Sequence, residues 1–137
     1  MKFMILLKAT ADSEAGRMPK REHIESIIAF NEQLANDGVL LAAEGLHPSS
    51  KGTRLRFDGG RTTVIDGPFA ETKELIAGFW IVQGKSHEEV VERFTHIPFA
   101  GGEAIEIRRV IGPEDFGDAL TPEQVERTER ITLPGGP

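Results

Sequence analysis

The sequence contains no cysteine. Without a thiol there is no disulfide framework, no thiolate nucleophile, no zinc ribbon and no iron–sulfur ligation. Long hydrophobic runs are also missing: no stretch approaches the roughly 20 residues that cross a bilayer. The opening MKFMILLKA is too brief for the apolar core of a signal peptide, and no small-residue cleavage site follows it. Cytoplasmic residence, with no membrane contact, is the expectation. Excess positive charge is absent as well, because the formal net charge is −6. Nucleic-acid binding is driven by counterion release from many Lys and Arg contacts, so nucleic acid is not an expected partner. The chain carries no P-loop, no dinucleotide fingerprint and no Ser-His-Asp signature, and no cofactor is called for.

What is present fits one soluble globular domain. With 137 residues, 39% hydrophobic and 28% charged, the chain can bury one modest core and is too short to divide into two. The spacing predicts a core domain over residues 1–111, followed over 112–137 by a linker and a short charged helix with a frayed end.

Residues Lys2 to Lys8 are apolar on both alternating faces, Phe3, Ile5 and Leu7 on one side and Met4 and Leu6 on the other. That pattern suits a central strand. From Pro19 to Asn36 the period becomes helical. Ile24, Ile27, Ile28, Leu34 and Ala35 share one stripe, and Asp37-Gly38 provides the stop. A strand at Val39–Ala43, a hairpin around Asp58-Gly59-Gly60-Arg61, a strand at Ile76–Val82, a helix introduced by Ser86 and Glu89, and a strand at Ala104–Ile111 follow. In Ile76–Val82, Gly78 either weakens the strand or marks a close backbone approach. The order is that of an α+β, ferredoxin-like split βαβ fold with an inserted β-hairpin. Two helices would cover one sheet face. The other face is apolar with nothing left to bury it, so a homodimer packing sheet to sheet is expected. After a linker at 112–117, Thr121-Pro122 predicts the terminal helix, and residues 133–137 should fray.

Between the hairpin and the following strand stands Asp66-Gly67-Pro68-Phe69-Ala70-Glu71-Thr72-Lys73-Glu74, preceded by Glu44-Gly45-Leu46-His47-Pro48 and followed by Gly78-Phe79. From Met1 to about Phe116 the sequence resembles the YCII-related proteins, in their DGPF-motif branch. The resemblance implies a dimeric α+β barrel, bacterial and cytoplasmic, with no general activity assigned. It also implies two functional classes. Some relatives in the wider group act on small molecules as enzymes, with a histidine and an aspartate near the interface as acid–base pair; His23 occupies the corresponding region here. Others occur beside, or fused to, extracytoplasmic-function sigma factors, which implies a regulatory partner role.

Several residues are able to carry chemistry. His23 lies on the ridge of Ile27, Phe30 and Leu34, so its ring should point toward the sheet. It is either a proton-handling group of a lyase or hydrolase, with Asp66 or Glu71 as its carboxylate, or a hydrogen-bonded core histidine. Asn31 shares the stripe and can be a satisfied core amide. Asp66 has two readings: an acceptor for backbone N–H groups two residues on, clasping the turn, or a pocket carboxylate together with Glu71. Lys73 would neutralise such a pair or be solvated. Glu44 and His47 could join His23 as ligands, but no recognised metal spacing is present and no metal is expected. Arg54 and Arg56 on the hairpin and Arg108 and Arg109 on the last strand would form a rim for a small anionic ligand if those edges met; otherwise they are an ordinary charged edge. His87 and His96 read as surface residues.

Overall fold

A computed structural model describes residues 1–132. Strand β1 (Lys2–Lys8) is followed by a single turn α1 (Ala11–Glu14), then α2 (Arg21–Asn36), β2 (Leu40–Gly45), the hairpin β3 (Thr53–Asp58) and β4 (Arg61–Asp66), β5 (Ile76–Gln83), α3 (His87–Phe94), β6 (Ile105–Arg109) and α4 (Pro122–Thr132). The main sheet has the order β2-β5-β1-β6 with every neighbour antiparallel. With helices between β1 and β2 and between β5 and β6, this is the expected split βαβ topology. The hairpin forms a separate two-stranded sheet.

The register places Phe3 beside Val82 and Ile5 beside Trp80, and these four side chains are buried on the face covered by α2 and α3. Leu34 from α2 and Val90 and Phe94 from α3 complete the core. Phe94 is its hub: Phe30 and Trp80 meet it edge-on, with ring centroids 5.4 and 5.6 Å away. Edge-to-face contacts of this kind add to the burial term because the positive ring edge meets the negative face. The opposite face carries Met4 beside Ile81 and Leu6 beside Phe79, all half-buried, with Lys8 and Glu106 3.4 Å apart.

Helix boundaries follow the local chemistry. Gly38 adopts φ 73°, a conformation costly for other residues, and ends α2 behind Asp37. Ser86 caps α3 by accepting from Glu89 N (3.1 Å). The Glu89 carboxylate accepts from Lys85 N, one residue before the cap, instead of from Ser86 N. Asp37 also accepts from Arg93 at 2.6 Å, tying the end of α2 to α3. This guanidinium bond, opposed by partial desolvation and helped by Gln33, holds the Asp37 carboxyl below its ordinary value. The contribution is therefore present above the usual carboxylate range and is lost as pH falls through the lowered value.

Pro19 lies two residues ahead of α2 instead of opening it, and the one-turn α1, capped reciprocally by Thr10 and Ser13, has no counterpart in the sequence pattern. Thr121 caps α4 as expected, accepting from Gln124 N at 3.1 Å. The fraying expected over 133–137 lies outside the described residues. Among the described residues no helix is long and apolar enough to cross a membrane.

Candidate functional site

Small residues on the β2–β5 edge leave space beneath α2. Ala43, Gly45, Ala77 and Gly78 contribute little side-chain volume, and a cavity of about 290 Å³ opens there. Gly78 marks the close approach: a Cβ would sit 2.9 Å from the Glu44 carbonyl oxygen, so a larger residue would push β2 off β5. From α2 come Ile24, Ile27 and Ile28, and from the sheet Trp80. Ile24 and Ile28, expected in the core stripe, are 42% and 47% exposed because they stand over this space. Ala35, placed on the same stripe, is exposed too. Leu34, of the same stripe, is buried in the core as expected, and Phe30 packs against it.

The polar side chains lining the cavity are His23 and Asn31; Glu44 borders it through its backbone, because it stands opposite Phe79 in the β2–β5 register and so projects to the sheet face away from α2. His23 is half-buried, and its ring stacks on Phe99 with centroids 5.9 Å apart and planes 27° from parallel. Asn31 Oδ1 accepts from Trp80 Nε1 at 2.7 Å. An imidazole and an amide thus share a space whose remaining walls are hydrocarbon and aromatic. Such a cavity suits a small ligand fixed by a few polar groups.

The other candidate residues lie elsewhere. Asp66 and Glu71 are exposed and do not line the cavity, so within one chain neither is the carboxylate beside His23. Asp66 is the last residue of β4, opposite Thr53 on the separate hairpin sheet, which carries it away from α2. Glu44, considered only as a ligand in the sequence, does not hold that place either, because its exposed side chain shares the sheet face of Phe79. Lys73 and His47 are exposed outside the cavity, and among the described residues no three His, Asp or Glu groups gather as a metal requires. The arginine edges do not meet in the chain: Arg54 lies over the Phe69 ring at 3.8 Å, Arg56 faces Asp58 at 3.7 Å, and Arg108 faces Glu106 at 3.8 Å. Arg109 pairs with Glu114 at 3.1 Å. His87 and His96 are exposed, His96 3.2 Å from Glu92.

The turn clasp also differs from expectation. Residue 68, two beyond Asp66, is a proline with no N–H to donate, and Asp66 instead accepts from Thr53 Oγ1 at 3.3 Å. Ser49 fastens the loop. Its Oγ accepts from Phe69 N (3.0 Å) and donates to Glu14 (2.5 Å), while Ser49 N donates to the same carboxylate at 2.9 Å. Gly67 N donates to Gly52 O at 2.9 Å. α1 thereby acquires a purpose, because it delivers Glu14 to this junction. Ser49→Ala is expected to lower stability by about 1–3 kcal/mol, since it removes two bonds and leaves a half-buried carboxylate and an amide under-satisfied. Asp66→Ala should cost under about 1 kcal/mol, its bond being long and exposed. Urea unfolding of both variants gives the comparison, and a larger loss in Asp66→Ala would reverse the assignment.

The model of the YCII-related domain matches residues 1–114. The chain belongs to the YCII-related family. An uncharacterised protein of Rhizobium meliloti (strain 1021) is 33% identical over 69 residues, which are 50% of this chain and 56% of that one. The match thus spans about half the length of the curated relative. Among solved structures, the 5-chloro-2-hydroxyhydroquinone dehydrochlorinase of Burkholderia phenoliruptrix AC1100, in complex with 2,5-dihydroxybenzoquinone, aligns over 84% of this chain and 98% of its own, at 18% identity and a TM-score of 0.46.

Reading the sequence of this YCII-related protein missed Trp80 and Phe99 as cavity walls and Glu14 and Ser49 as the clasp. Trp80 carried the clearest signal, as the only tryptophan and two residues beyond Gly78 on the same strand face. Ser49 carried none, because its partners lie 35 and 20 residues away.

Proposed function

We propose that this protein binds a small, largely apolar molecule in the cavity beneath α2 and that His23 exchanges a proton with it, as a lyase or hydrolase requires. The observation that carries the reading is that the His23 and Asn31 side chains share one otherwise apolar and aromatic-walled cavity. The stack on Phe99 holds the imidazole plane, and neither Asp66 nor Glu71, the carboxylates first considered for the pair, lines the cavity of one chain. No Lys or Arg lines the space, so the hairpin and β6 arginines are not part of this site and an anionic ligand is poorly served. A screen of single-ring fragments against the isotope-labelled protein tests the reading. Binders should shift the Trp80 indole N–H and the His23 ring signals together. Fragments that move only hairpin signals would sink it.

The same reading assigns function to residues 1–111, treats 112–137 as an appended linker and helix, and takes the protein as cytoplasmic. It includes a homodimer of the DGPF type, formed on the face of Met4, Leu6, Phe79 and Ile81 that no helix covers. Sedimentation at micromolar concentration should give twice the 15.0 kDa chain mass, and Leu6→Lys should halve it. A monomer in the unsubstituted protein would refute the dimer.

One observation favours a second, non-catalytic reading as a regulatory partner, for which the DGPF resemblance suggests a sigma factor. Leu55, Phe57 and Val64 lie on one face of the hairpin and are 55%, 74% and 63% exposed. Under that reading Phe57→Ser abolishes partner binding and leaves the cavity unaffected.

A further inference from the structure

We infer that Asn31 selects the ligand, presenting a fixed hydrogen-bond donor to an acceptor oxygen on a neutral, planar ring compound. This inference rests on the cavity being the ligand site and names the class of molecule the site takes. An indole N–H can only donate, so the amide group facing Trp80 Nε1 at 2.7 Å must be the oxygen. Turning the amide over would set N–H against N–H. The Trp80 bond therefore fixes the side chain and commits Asn31 Nδ2 to the other direction.

Among the described residues Nδ2 has no protein acceptor. Yet no buried side-chain nitrogen or oxygen among them lacks a partner, so Nδ2 is not sealed in the core and opens onto accessible space. Asn31 lines the cavity, and that is the space it meets. A ligand that strips water from an amide N–H without replacing its bond loses affinity, whereas one that brings an acceptor oxygen does not.

The walls define the rest of the class. Trp80, Phe99 and the His23 ring are flat, the three isoleucines are hydrocarbon, and about 290 Å³ admits one ring with a short substituent. No Lys or Arg lines the space to pair with a bound anion, and stripping water from an unpaired charge is costly, which disfavours an anion. The acceptor is thus a carbonyl or comparable neutral oxygen, not a carboxylate or phosphate. Trp80 is a positioning residue in this arrangement, because it acts on the ligand through the amide it orients.

The test uses the full chain, whose single tryptophan gives one indole N–H signal beside the site. Acetophenone and ethylbenzene share a skeleton and differ by a carbonyl in place of a methylene. Both are titrated against the native protein and against Asn31→Asp, which keeps an oxygen for Trp80 but offers no N–H to the ligand. The ratio of the two dissociation constants should move against acetophenone by about tenfold between the native protein and Asn31→Asp, a comparison in which the different water solubilities of the compounds cancel. The indole signal of the free variant should keep its position. In the native protein, acetophenone alone should shift the Asn31 side-chain NH2 signals, which decides the matter even if the variant fails to fold. An unchanged ratio, or NH2 signals that respond equally to both compounds, overturns the inference and leaves the cavity reading standing. Absence of any Trp80 response to either compound overturns the cavity reading, and the inference with it.

Discussion

Gly67→Ala is expected to destabilise the protein by about 3 kcal/mol or more, enough to unfold much of it at moderate temperature. An added Cβ would lie 1.7 Å from Ser49 O and 2.7 Å from Ser49 C. Both are backbone atoms, so no rotamer change relieves the overlap. The loop would have to swing away, breaking Gly67 N to Gly52 O and the Phe69 N bond to Ser49 Oγ that hold it. Phe69 would move with it and leave Arg54 without its ring. Gly45→Ala is the control: it adds the same methyl where nothing lies within 4 Å, and its stability should change by less than about 0.5 kcal/mol. Urea midpoints of the two variants measure the difference. If Gly67→Ala unfolded within 1 kcal/mol of the unsubstituted protein, the tight seat of the loop on Ser49 would be disproved.

His23→Gln is expected to separate chemistry from folding. His23 is half-buried and its packing contact is the stack on Phe99, so the loss in stability should be about 1 kcal/mol or less. Glutamine keeps polarity and approximate length but cannot exchange a proton near neutral pH. Once a substrate of the class described is in hand, turnover should fall by about 10²–10⁴-fold with little change in KM. Residual turnover within tenfold of normal in His23→Gln would remove the imidazole from the mechanism and leave the hairpin-face reading as the stronger one.

Elements with a sustained period were legible in the chain itself. The alternation of Phe3, Ile5 and Leu7 gave β1 and its buried face, and the ridge through Leu34 gave α2. The turn at Gly59-Gly60 gave the hairpin. One-turn α1 escaped notice because four residues are too few to display a period. The strip of Ile24 and Ile28 was visible, but its meaning was not. Helical spacing says that a residue faces the sheet and cannot say whether the sheet opposite is filled by Leu7 and Trp80 or left open by Ala43 and Gly78.

His23 and Glu44 were marked as chemically able from residue type and Asn31 as a core amide, and the order of elements determined that His23 and Asn31 would face a sheet. What tertiary structure alone decided is that Asp66 and Glu71 stand away from the cavity and what fastens the loop after Asp66. Asp66 opens a good turn sequence, yet it stays outside the cavity and Ser49 secures the turn. Local propensity acts over a few residues through backbone geometry and is therefore written in the neighbouring letters. Ser49 reaches Glu14 and Phe69, and Trp80 reaches Asn31 across 49 positions, only after chain folding has cancelled the sequence separation. Hydrogen bonds depend on distance in space, and it is the packing of α2 on β5 and of the hairpin exit on α1 that sets those distances.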